Sequence, residues 1–288
     1  MGIHGEPQIE VQSGKVAAMA GGSQESGRSV TSKVLGILEV FETTRRSMSL
    51  TEISAHSGLP LSTTHRLVGE LVDWGFLSRG PTGRIQLGLR LWAIAQNAGR
   101  QLRETARPFV QDLFSLTGET SQLVVRDGVN ALYIDRVYGS KRIPRASRVG
   151  GRLPLHATAC GKVLLAYEED WVRQGYLQRT LQQPTLHTHA NPERLATELS
   201  DVRAQGYATT FEEMRLGLCS IAVPVFHTGK IGCSIGLVLP AGQASAMNRH
   251  LPVLNGIAAQ IQRATAHIPL ETLLGSIIDP LPPAPPEH

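Results

Sequence analysis

The first part of the chain alternates helical patterns with short polar breaks. Over residues 30–41, apolar side chains recur three and four positions apart, which predicts an amphipathic helix that Ser29 can cap. Ser49 is followed three residues later by Glu52, which is the pattern of a capping box, and Gly58 can end the helix that starts there. We therefore expect two short helices, separated by a polar and basic connector.

A third helix and a hairpin follow. Apolar residues at helical spacing begin near Leu61, and alternating residues then flank a Gly80-Pro-Thr-Gly83 turn. Two helices joined by a tight turn and followed by a two-stranded wing make a winged helix-turn-helix, here over residues 28–88. The alternative is an ordinary helical hairpin with a solvated polar face, but the basic hairpin that follows favours the winged fold.

The start of the third helix carries hydroxyl, imidazole and guanidinium groups. Such groups donate hydrogen bonds to phosphates and to base edges when a recognition helix lies in the DNA major groove. The candidate DNA-binding residues are Thr51, Ser62, Thr63, Thr64, His65, Arg66, Arg79 and Arg84. We expect base discrimination to come mainly from residues 63–66, and the partner to be an operator in double-stranded DNA.

Helical spacing continues after the wing. Residues 89–105 contain no helix breaker apart from Gly99, so we expect a linker helix there. Its apolar side would serve either an intramolecular core or a dimer seam, and the seam is favoured because a small winged domain has little surface left to cover the helix. Pro108 should then open a separate helix over residues 108–117.

The pattern changes to a period of two after Gly118. An Asp127-Gly128 turn between two alternating runs predicts a β-hairpin. Further strands are expected at residues 207–211, 218–226 and 231–239, and helices near residues 157–166, 192–205 and 252–266. Hairpins mixed with flanking helices predict an α+β sensor-like domain over about residues 106–267.

Composition limits the class of protein. A chain of 288 residues with 41% hydrophobic and 18% charged residues suits a soluble protein of more than one domain. The net charge of +4 agrees with a DNA partner only weakly, because many enzymes are as basic. Three widely spaced cysteines favour a reducing compartment, and we expect a cytoplasmic location. The sequence has no apolar run near the roughly 18 residues that a membrane span needs, so no membrane partner is expected.

Both ends of the chain are expected to lack fixed structure. Residues 1–27 are rich in Gly, Ser and Gln without a sustained period, which predicts a disordered extension. Residues 268–288 end in Pro-Leu-Pro-Pro-Ala-Pro-Pro, which predicts a flexible, extended tail.

The stretch 153–166 is the most informative part of the second domain. A helix that begins near Ala157 would offer free backbone N–H groups to a small anion, while its small residues could equally serve close packing. Cys160 in the first turn is either a reactive thiol, as in a redox sensor or an enzyme, or a buried inert cysteine. Gly161-Lys162 is not a phosphate loop, because the preceding glycine of that motif is absent.

Other polar residues give no enzyme signature. His187 and His189 could hold a metal ion, but they are more typical of a surface loop. Glu212 and Glu213 could form an acid–base pair, but we expect them to be solvated. No metal and no cofactor is expected, and the protein is not expected to be an enzyme.

Taken together, these motifs resemble those of IclR-family transcriptional regulators over about residues 28–266. In the first half the matching segments are Leu50-Thr-Glu-Ile, Gly58-Leu-Pro-Leu-Ser-Thr-Thr-His-Arg-Leu and Leu71 through Phe76. In the second half they are Arg152-Leu-Pro-Leu-His-Ala-Thr-Ala-Cys-Gly-Lys-Val-Leu-Leu-Ala, Gly206-Tyr207 with Glu212-Glu213, and Gly217-Leu-Cys-Ser-Ile-Ala-Val-Pro-Val. The resemblance implies a winged helix-turn-helix, a linker helix and a GAF-like effector domain in a homodimer or homotetramer that binds a small acid.

The family's effector pocket is carried over residue by residue. The resemblance implies a pocket at the start of the 157–166 helix and across the neighbouring strands. With their neighbours, the candidate effector-binding residues are Leu153, Ala159, Cys160, Gly161, Thr210, Leu218, Cys219, Ser220, Gly236 and Val238. Arg142 and Arg145 could meet a carboxylate, or they could be solvated surface residues.

This chain departs from more polar members of the family. Gly236 and Val238 stand where the family can have Ser, and Thr210 stands where it often has Asp. A roomier or more apolar pocket follows, which would suit an aromatic or alicyclic acid. The expected function is a ligand-responsive, sequence-specific DNA-binding regulator. Two other classes stay open, namely an enzyme or thiol sensor that uses Cys160 and a protein-interaction module.

Overall fold

The computed structural model describes residues 28–43, 47–95, 100–139 and 148–274. The chain divides into two compact units, with the division after Trp92. The expected disordered extension (1–27), Arg142, Arg145 and the end of the expected flexible tail (275–288) lie outside the described residues.

The first unit is a helix-turn-helix with a two-stranded wing. Its elements are α1 (Val30–Thr43), α2 (Leu50–Ser57), α3 (Leu61–Asp73), β1 (Leu77–Arg79) and β2 (Ile85–Leu87), with α4 (Leu89–Ala95) following. The strands pair antiparallel, and Met48 forms a further backbone bridge with Ile85. The core is formed by apolar side chains from all three helices and the wing, among them Ile37, Ile53, Leu67, Leu77 and Ile85.

The ends of α2 match the local signals in the sequence. Ser49 and Glu52 form a complete capping box, since the backbone N–H of each residue donates to the side chain of the other. Gly58 ends the helix in the left-handed conformation, with a φ of 68°.

The second unit is an α+β domain, as the sequence predicts. Its elements are α5 (Arg100–Thr117), β3 (Thr120–Asp127), β4 (Asn130–Val137), β5 (Arg152–Pro154), α6 (Ala159–Tyr167), α7 (Asp170–Leu177), α8 (Pro192–Gln205), β6 (Ala208–Phe211), β7 (Leu218–His227), β8 (Lys230–Pro240), α9 (Leu251–Thr265) and α10 (Leu270–Leu274). Short 3-10 helices cover Leu155–Ala157 and Ala241–His250.

One six-stranded antiparallel sheet organises this domain, with the strand order β5-β4-β3-β8-β7-β6. Side chains of α5, α9 and α10 form the core on one face, including Val110, Leu254 and Leu273. Side chains of α6 and α8 form the core on the other face, including Val163 and Leu195. The two central strands, β3 and β8, come from opposite ends of the domain sequence and pair in the register Gln122 to Gly236.

Three boundaries differ from the sequence predictions. Pro108 lies inside α5 and does not open a new helix. The missing N–H of a proline costs a helical hydrogen bond, but the buried residues on both sides of it, Leu102, Ala106, Val110 and Leu113, keep one continuous apolar face against the sheet. The expected helix near Ala157 begins at Ala159, because Thr158 caps it by accepting a hydrogen bond from the N–H of Gly161.

The third difference concerns the expected flexible tail, because part of it is folded. α10 lies within residues 268–288, and its Leu273 and Leu274 are buried in the core that α5 and α9 form. An apolar Leu-Leu pair before the proline-rich segment is the local cause. The expected linker helix is represented by α4 and the start of α5, while residues 96–99 lie outside the described residues.

Candidate nucleic-acid interface and effector cavity

The start of α3 presents most of the expected DNA-binding side chains to solvent. Ser62, His65 and Arg66 are exposed, and Thr63 is half-buried. Pro60 occupies the N-cap position of α3 without a side-chain cap, so the first N–H groups of the helix are suited to a phosphate. Thr51 on α2 is exposed as well.

Thr64 is a correction to the expected set. Its side chain is fully buried, and its hydroxyl donates to the carbonyl of Pro60 over 3.1 Å. A helix that packs through Leu67, Val68 and Leu71 turns the residue one turn earlier toward the same core. Thr64 therefore supports the helix and cannot reach a base edge.

The three arginines of the expected interface differ in their partners. Arg66 forms an exposed ion pair with Glu70, with 2.6 Å between Nη1 and Oε1. The side chain of Arg84 extends from the wing to Glu52, with 2.6 Å between Nη2 and Oε2. Arg79 is exposed and makes no side-chain hydrogen bond or ion pair within the part of the chain that the structure describes.

A cavity of about 520 Å³ lies at one end of the sheet in the second unit. Strands β3, β4, β7 and β8 supply one side, and the segment 213–218 supplies another. Of the expected effector-binding residues, six line this cavity, namely Leu153, Thr210, Leu218, Cys219, Ser220 and Val238. The sequence alone missed Gln122, Tyr133 and Arg136, which also line it and come from the first hairpin of the domain.

The lining of the cavity contains several polar groups, among them two close pairs. The hydroxyls of Thr210 and Ser220 lie 2.5 Å apart and form a hydrogen bond. The guanidinium carbon of Arg136 lies 5.5 Å from the ring centre of Tyr133. Burial lowers the pKa of Arg136 and raises that of Tyr133, because both charged forms lose hydration there.

Four expected residues lie behind the cavity wall and do not line it. They are Ala159, Cys160, Gly161 and Gly236. A Cβ on Gly161 would lie 2.3 Å from the carbonyl oxygen of Leu155, and one on Gly236 would lie 2.8 Å from Cys160 Sγ. Gly161 therefore permits close packing of α6 on the preceding 3-10 helix, and Gly236 permits close packing of the sheet on α6. This geometry agrees with the packing alternative for the small residues of α6.

Cys160 is a buried thiol with a polar neighbour. Gln122 Nε2 donates to Cys160 Sγ over 3.5 Å. Burial nevertheless dominates and raises the pKa of the Cys160 thiol to about 11. A thiol with such a pKa is a poor nucleophile at neutral pH.

The segment 213–218, which forms a wall of the cavity, and the adjoining Glu212 are held by hydrogen bonds and an ion pair. Glu213 is buried and not solvated, contrary to expectation, and its carboxylate bonds to the ammonium of the fully buried Lys162. Thr185 and Thr188 donate from their hydroxyls to the carbonyls of Glu212 and Glu213 over 2.7 and 2.6 Å. Glu212 has a φ of 55°, which only a well-supported segment holds in a residue other than glycine.

The same region contains a possible set of metal ligands. Donor atoms of His189, Glu198 and Glu213 lie within 4.8 Å of one another. Lys162 Nζ bonds to both carboxylates, at 2.5 Å from Glu198 and 2.7 Å from Glu213, and thus supplies the positive charge that a metal ion would provide.

Among the helices described, none is both long and apolar enough to cross a membrane.

Two family models match the chain. The model for the IclR helix-turn-helix domain matches residues 30–81, and the model for the C-terminal part of bacterial IclR transcriptional regulators matches residues 96–263. The chain belongs to the IclR family. It is therefore a transcriptional regulator with an N-terminal helix-turn-helix and a C-terminal effector domain.

Relatives and solved structures in the IclR family support this assignment. The regulator XynR of Escherichia coli is 33% identical over 213 residues, which cover 71% of this chain and 83% of that protein. The Pca operon regulatory protein of Acinetobacter baylyi is 28% identical and covers 80% of this chain and 87% of its own length.

An IclR homologue from Microbacterium hydrocarbonoxydans, solved with 4-hydroxybenzoate, has a TM-score of 0.77 at 30% identity and covers 82% of this chain and 98% of its own. The Thermotoga maritima IclR has a TM-score of 0.68 at 28% identity, with the same coverage of both chains.

Proposed function

We propose that this IclR-family regulator binds its operator sequence-specifically and responds to a small aromatic or other carboxylic acid in the cavity of its second domain. The observation that carries the proposal is the cavity of about 520 Å³ with Arg136 in its lining. Its volume lies within the range of about 300–1,000 Å³ that is typical of small-molecule sites. A regulator of this kind would act in the cytoplasm.

The chemistry of the lining favours a carboxylic acid. The guanidinium of Arg136, which lines the cavity, is a group that can bind a carboxylate with two hydrogen bonds. The negative charge of Glu213, which also lines the cavity, is compensated by Lys162. Leu153, Leu218 and Val238 offer apolar surface to a ring.

The solved relative bound to 4-hydroxybenzoate supports the same ligand class. Its ligand combines a carboxylate with an aromatic ring, and the arginine and the apolar residues in the lining of this cavity suit such a combination. The polar pair Thr210 and Ser220 adds hydroxyls that can donate to or accept from a ring substituent.

The test for the ligand is calorimetric titration with 4-hydroxybenzoate, benzoate and pyruvate, and with 4-hydroxybenzamide as the uncharged analogue. We expect R136Q to weaken acid binding at least tenfold and amide binding much less. R152Q is the matched control, because Arg152 lies on the same sheet, pairs with Asp127 and does not line the cavity. Equal binding of acid and amide by the wild-type chain would contradict the acid assignment.

On the DNA side, we propose Thr63, His65 and Arg66 as the residues that read bases. If Arg66 binds a guanine with two hydrogen bonds, R66A should lose about 1–3 kcal/mol on operator DNA and much less on random DNA. Equal losses on both DNAs would make Arg66 a phosphate contact. Fluorescence anisotropy with DNA from beside the protein's own gene measures both.

We also propose that α4 forms the seam of a homodimer. All residues of α4 are described and none is buried, and the side chains of Leu89, Trp92 and Ile94 are 85, 65 and 51% exposed. A helix-turn-helix protein commonly binds two half-sites as a dimer. W92E should shift the mass in sedimentation toward the monomer, whereas W171E, at an exposed tryptophan of α7, should not.

Regulation requires the acid to distinguish two states of the protein. An acid that binds the DNA-competent and DNA-incompetent arrangements equally would change nothing. The same anisotropy measurement with and without the acid therefore tests the coupling, and unchanged operator affinity at saturating acid would contradict it.

A further inference from the structure

We propose that Arg84 is a positioning residue that holds the wing against the start of α2, and that Arg79 is the arginine of the wing that contacts phosphate. The inference rests on the proposed binding of DNA by the first unit. It changes the expected role of Arg84 from a DNA contact to a residue that acts through Glu52.

The side chain of Arg84 is directed back into the protein. A single nitrogen, Nη2, donates to Glu52 Oε2 over 2.6 Å and to the carbonyl of Ser47 over 2.9 Å. Both acceptors flank the N-terminus of α2, whereas Arg84 ends the turn of the wing. The guanidinium therefore joins two elements that are 32 residues apart in sequence.

The partner of Arg84 is itself fixed in position. Glu52 Oε2 also accepts the backbone N–H of Ser49 over 2.7 Å, and Ser49 Oγ accepts the N–H of Glu52 over 3.2 Å. The carboxylate thus completes the capping box of α2 and binds Arg84 with the same oxygen. An anchor that is held by a helix cap transmits its position to the wing more rigidly than a free side chain would.

Backbone contacts reinforce the same junction. Met48 and Ile85 exchange two hydrogen bonds of 2.8 and 2.7 Å next to the Arg84 contacts. These bonds hold the wing beside its turn, since Ile85 pairs with Arg79 at the turn end of the two strands. The contacts of Arg84 add a second attachment at the neighbouring residue. The direction of the wing then depends on the pair of Arg84 and Glu52.

The charges separate the roles of the two wing arginines. The charge of Arg84 is balanced by Glu52, so the pair as a whole carries no net charge toward a phosphate. Arg79 is exposed on β1 and has no carboxylate within ion-pair distance among the described residues. Release of counterions from DNA requires an uncompensated cation, and this condition fits Arg79.

The experiment measures the affinity of the full chain for a 30-base-pair duplex of random sequence at several salt concentrations. Such a duplex needs no knowledge of the operator, because phosphate contacts are independent of sequence. The variants are R84Q, E52Q, the double variant E52Q/R84Q, and R79Q as the matched wing control. Circular dichroism melts establish that each variant is folded.

We expect R79Q to reduce the slope of log K against log salt by about 0.9 per bound subunit. R84Q should weaken binding several-fold at each salt concentration without a change of slope. E52Q should weaken binding as well, although it removes a negative charge near DNA, and the double variant should be no weaker than either single variant. Glutamine can replace glutamate in a capping box, so E52Q should stay folded even if R84Q does not.

Several results would overturn the inference. If Arg84 is a phosphate contact, R84Q reduces the slope as R79Q does, and E52Q strengthens binding because it frees the guanidinium. Additive losses in the double variant, or no loss in R84Q, would also contradict the positioning role. Binding by the wild-type chain that does not depend on salt would instead remove the proposed DNA-binding function itself.

Discussion

Lys162 Nζ lies 2.7 and 2.8 Å from the two carboxylate oxygens of Glu213, and the side chain of Lys162 is fully buried. The same nitrogen lies 2.5 Å from Glu198 Oε1 on α8. One ammonium therefore ties α6 to α8 and to the segment that walls the cavity. A charge buried in this way is tolerated only while its partners are present.

Removing Lys162 should be strongly destabilising. We expect K162M to lower the free energy of unfolding by about 3–5 kcal/mol, because it leaves Glu213 buried without its counter-charge. The double variant K162M/E213Q should recover part of the loss. Urea denaturation measures both, and K230M, at an exposed lysine, serves as a control with little effect. A double variant as unstable as K162M alone would show that packing of the lysine stem, and not its charge, is what counts.

The pair of Glu52 and Arg84 predicts a dependence of stability on pH. The hydrogen bond from the backbone N–H of Ser49, with smaller contributions from the Ser49 side chain and Arg84, holds the pKa of Glu52 below its usual 4.5. A carboxyl whose pKa is lowered by folding stabilises the folded state above pH 4.5, and this contribution is lost as the pH falls through the folded pKa.

The pH effect is measured as a difference between two proteins. The melting temperatures of the wild-type chain and of E52Q are measured between pH 6 and pH 3. The difference between them should be smallest at the acid end of this range. A difference between their melting temperatures that stays constant over this range would contradict the assignment to Glu52.

The thiols of the folded protein should resist modification. Burial raises the pKa of Cys160 to about 11 and that of Cys233 to about 12, and it raises the pKa of Cys219 as well. At pH 8 we expect a thiol reagent to label none of the three in the native chain and all three in urea. Rapid labelling of native Cys160 would revive the thiol-sensor alternative, and C160A identifies the labelled residue.

Gly236 should be a packing position. An alanine Cβ there would meet Cys160 Sγ and the carbonyl of Ile221, each at 2.8 Å. We expect G236A to cost about 1–3 kcal/mol of stability, as overpacking usually does. G175A is the matched control, because a Cβ on Gly175 of α7 meets nothing within 4 Å, and it should be neutral or stabilising by about 0.5–1 kcal/mol. Urea midpoints that fall equally in both variants would contradict this assignment.

Local signals in the sequence predicted the helices and hairpins well. The capping box of Ser49 and Glu52 and the glycine stop at Gly206 depend only on residues a few positions apart. The first is present at the start of α2, and the second is present at the end of α8. The Asp127-Gly128 turn lies in the first hairpin of the second domain for the same reason. Pro108 misled the prediction because burial on both sides of it outweighs the lost hydrogen bond.

Local sequence patterns could not predict the residues of the cavity, because contacts between distant parts of the chain bring these residues together. Gln122 meets Cys160 and Lys162 meets Glu213 across 38 and 51 residues of sequence. The family resemblance supplied six residues of the lining, but Tyr133 and Arg136 lie three positions apart on β4, where strict alternation would put them on opposite faces of the sheet. Both line the cavity in a strand whose pairing with β3 is irregular at this point, and no sequence pattern predicted that irregularity. Thr64 was assigned to the wrong face of α3, since a hydroxyl near a helix start has the same sequence signature whether it faces DNA or the core.

The order of the strands has a consequence for shortened forms of this protein. β3 and β8 lie side by side at the centre of the sheet, although β8 begins more than a hundred residues after β3. A chain that stops before Lys230 would lack a central strand and leave a row of β3 backbone groups without partners. Premature termination should therefore prevent the whole second domain from folding, whereas deletion of the outer strand β5 or β6 would remove only an edge of the sheet. Genetic screens that recover truncated but partly responsive proteins should find none whose chain stops between these two central strands.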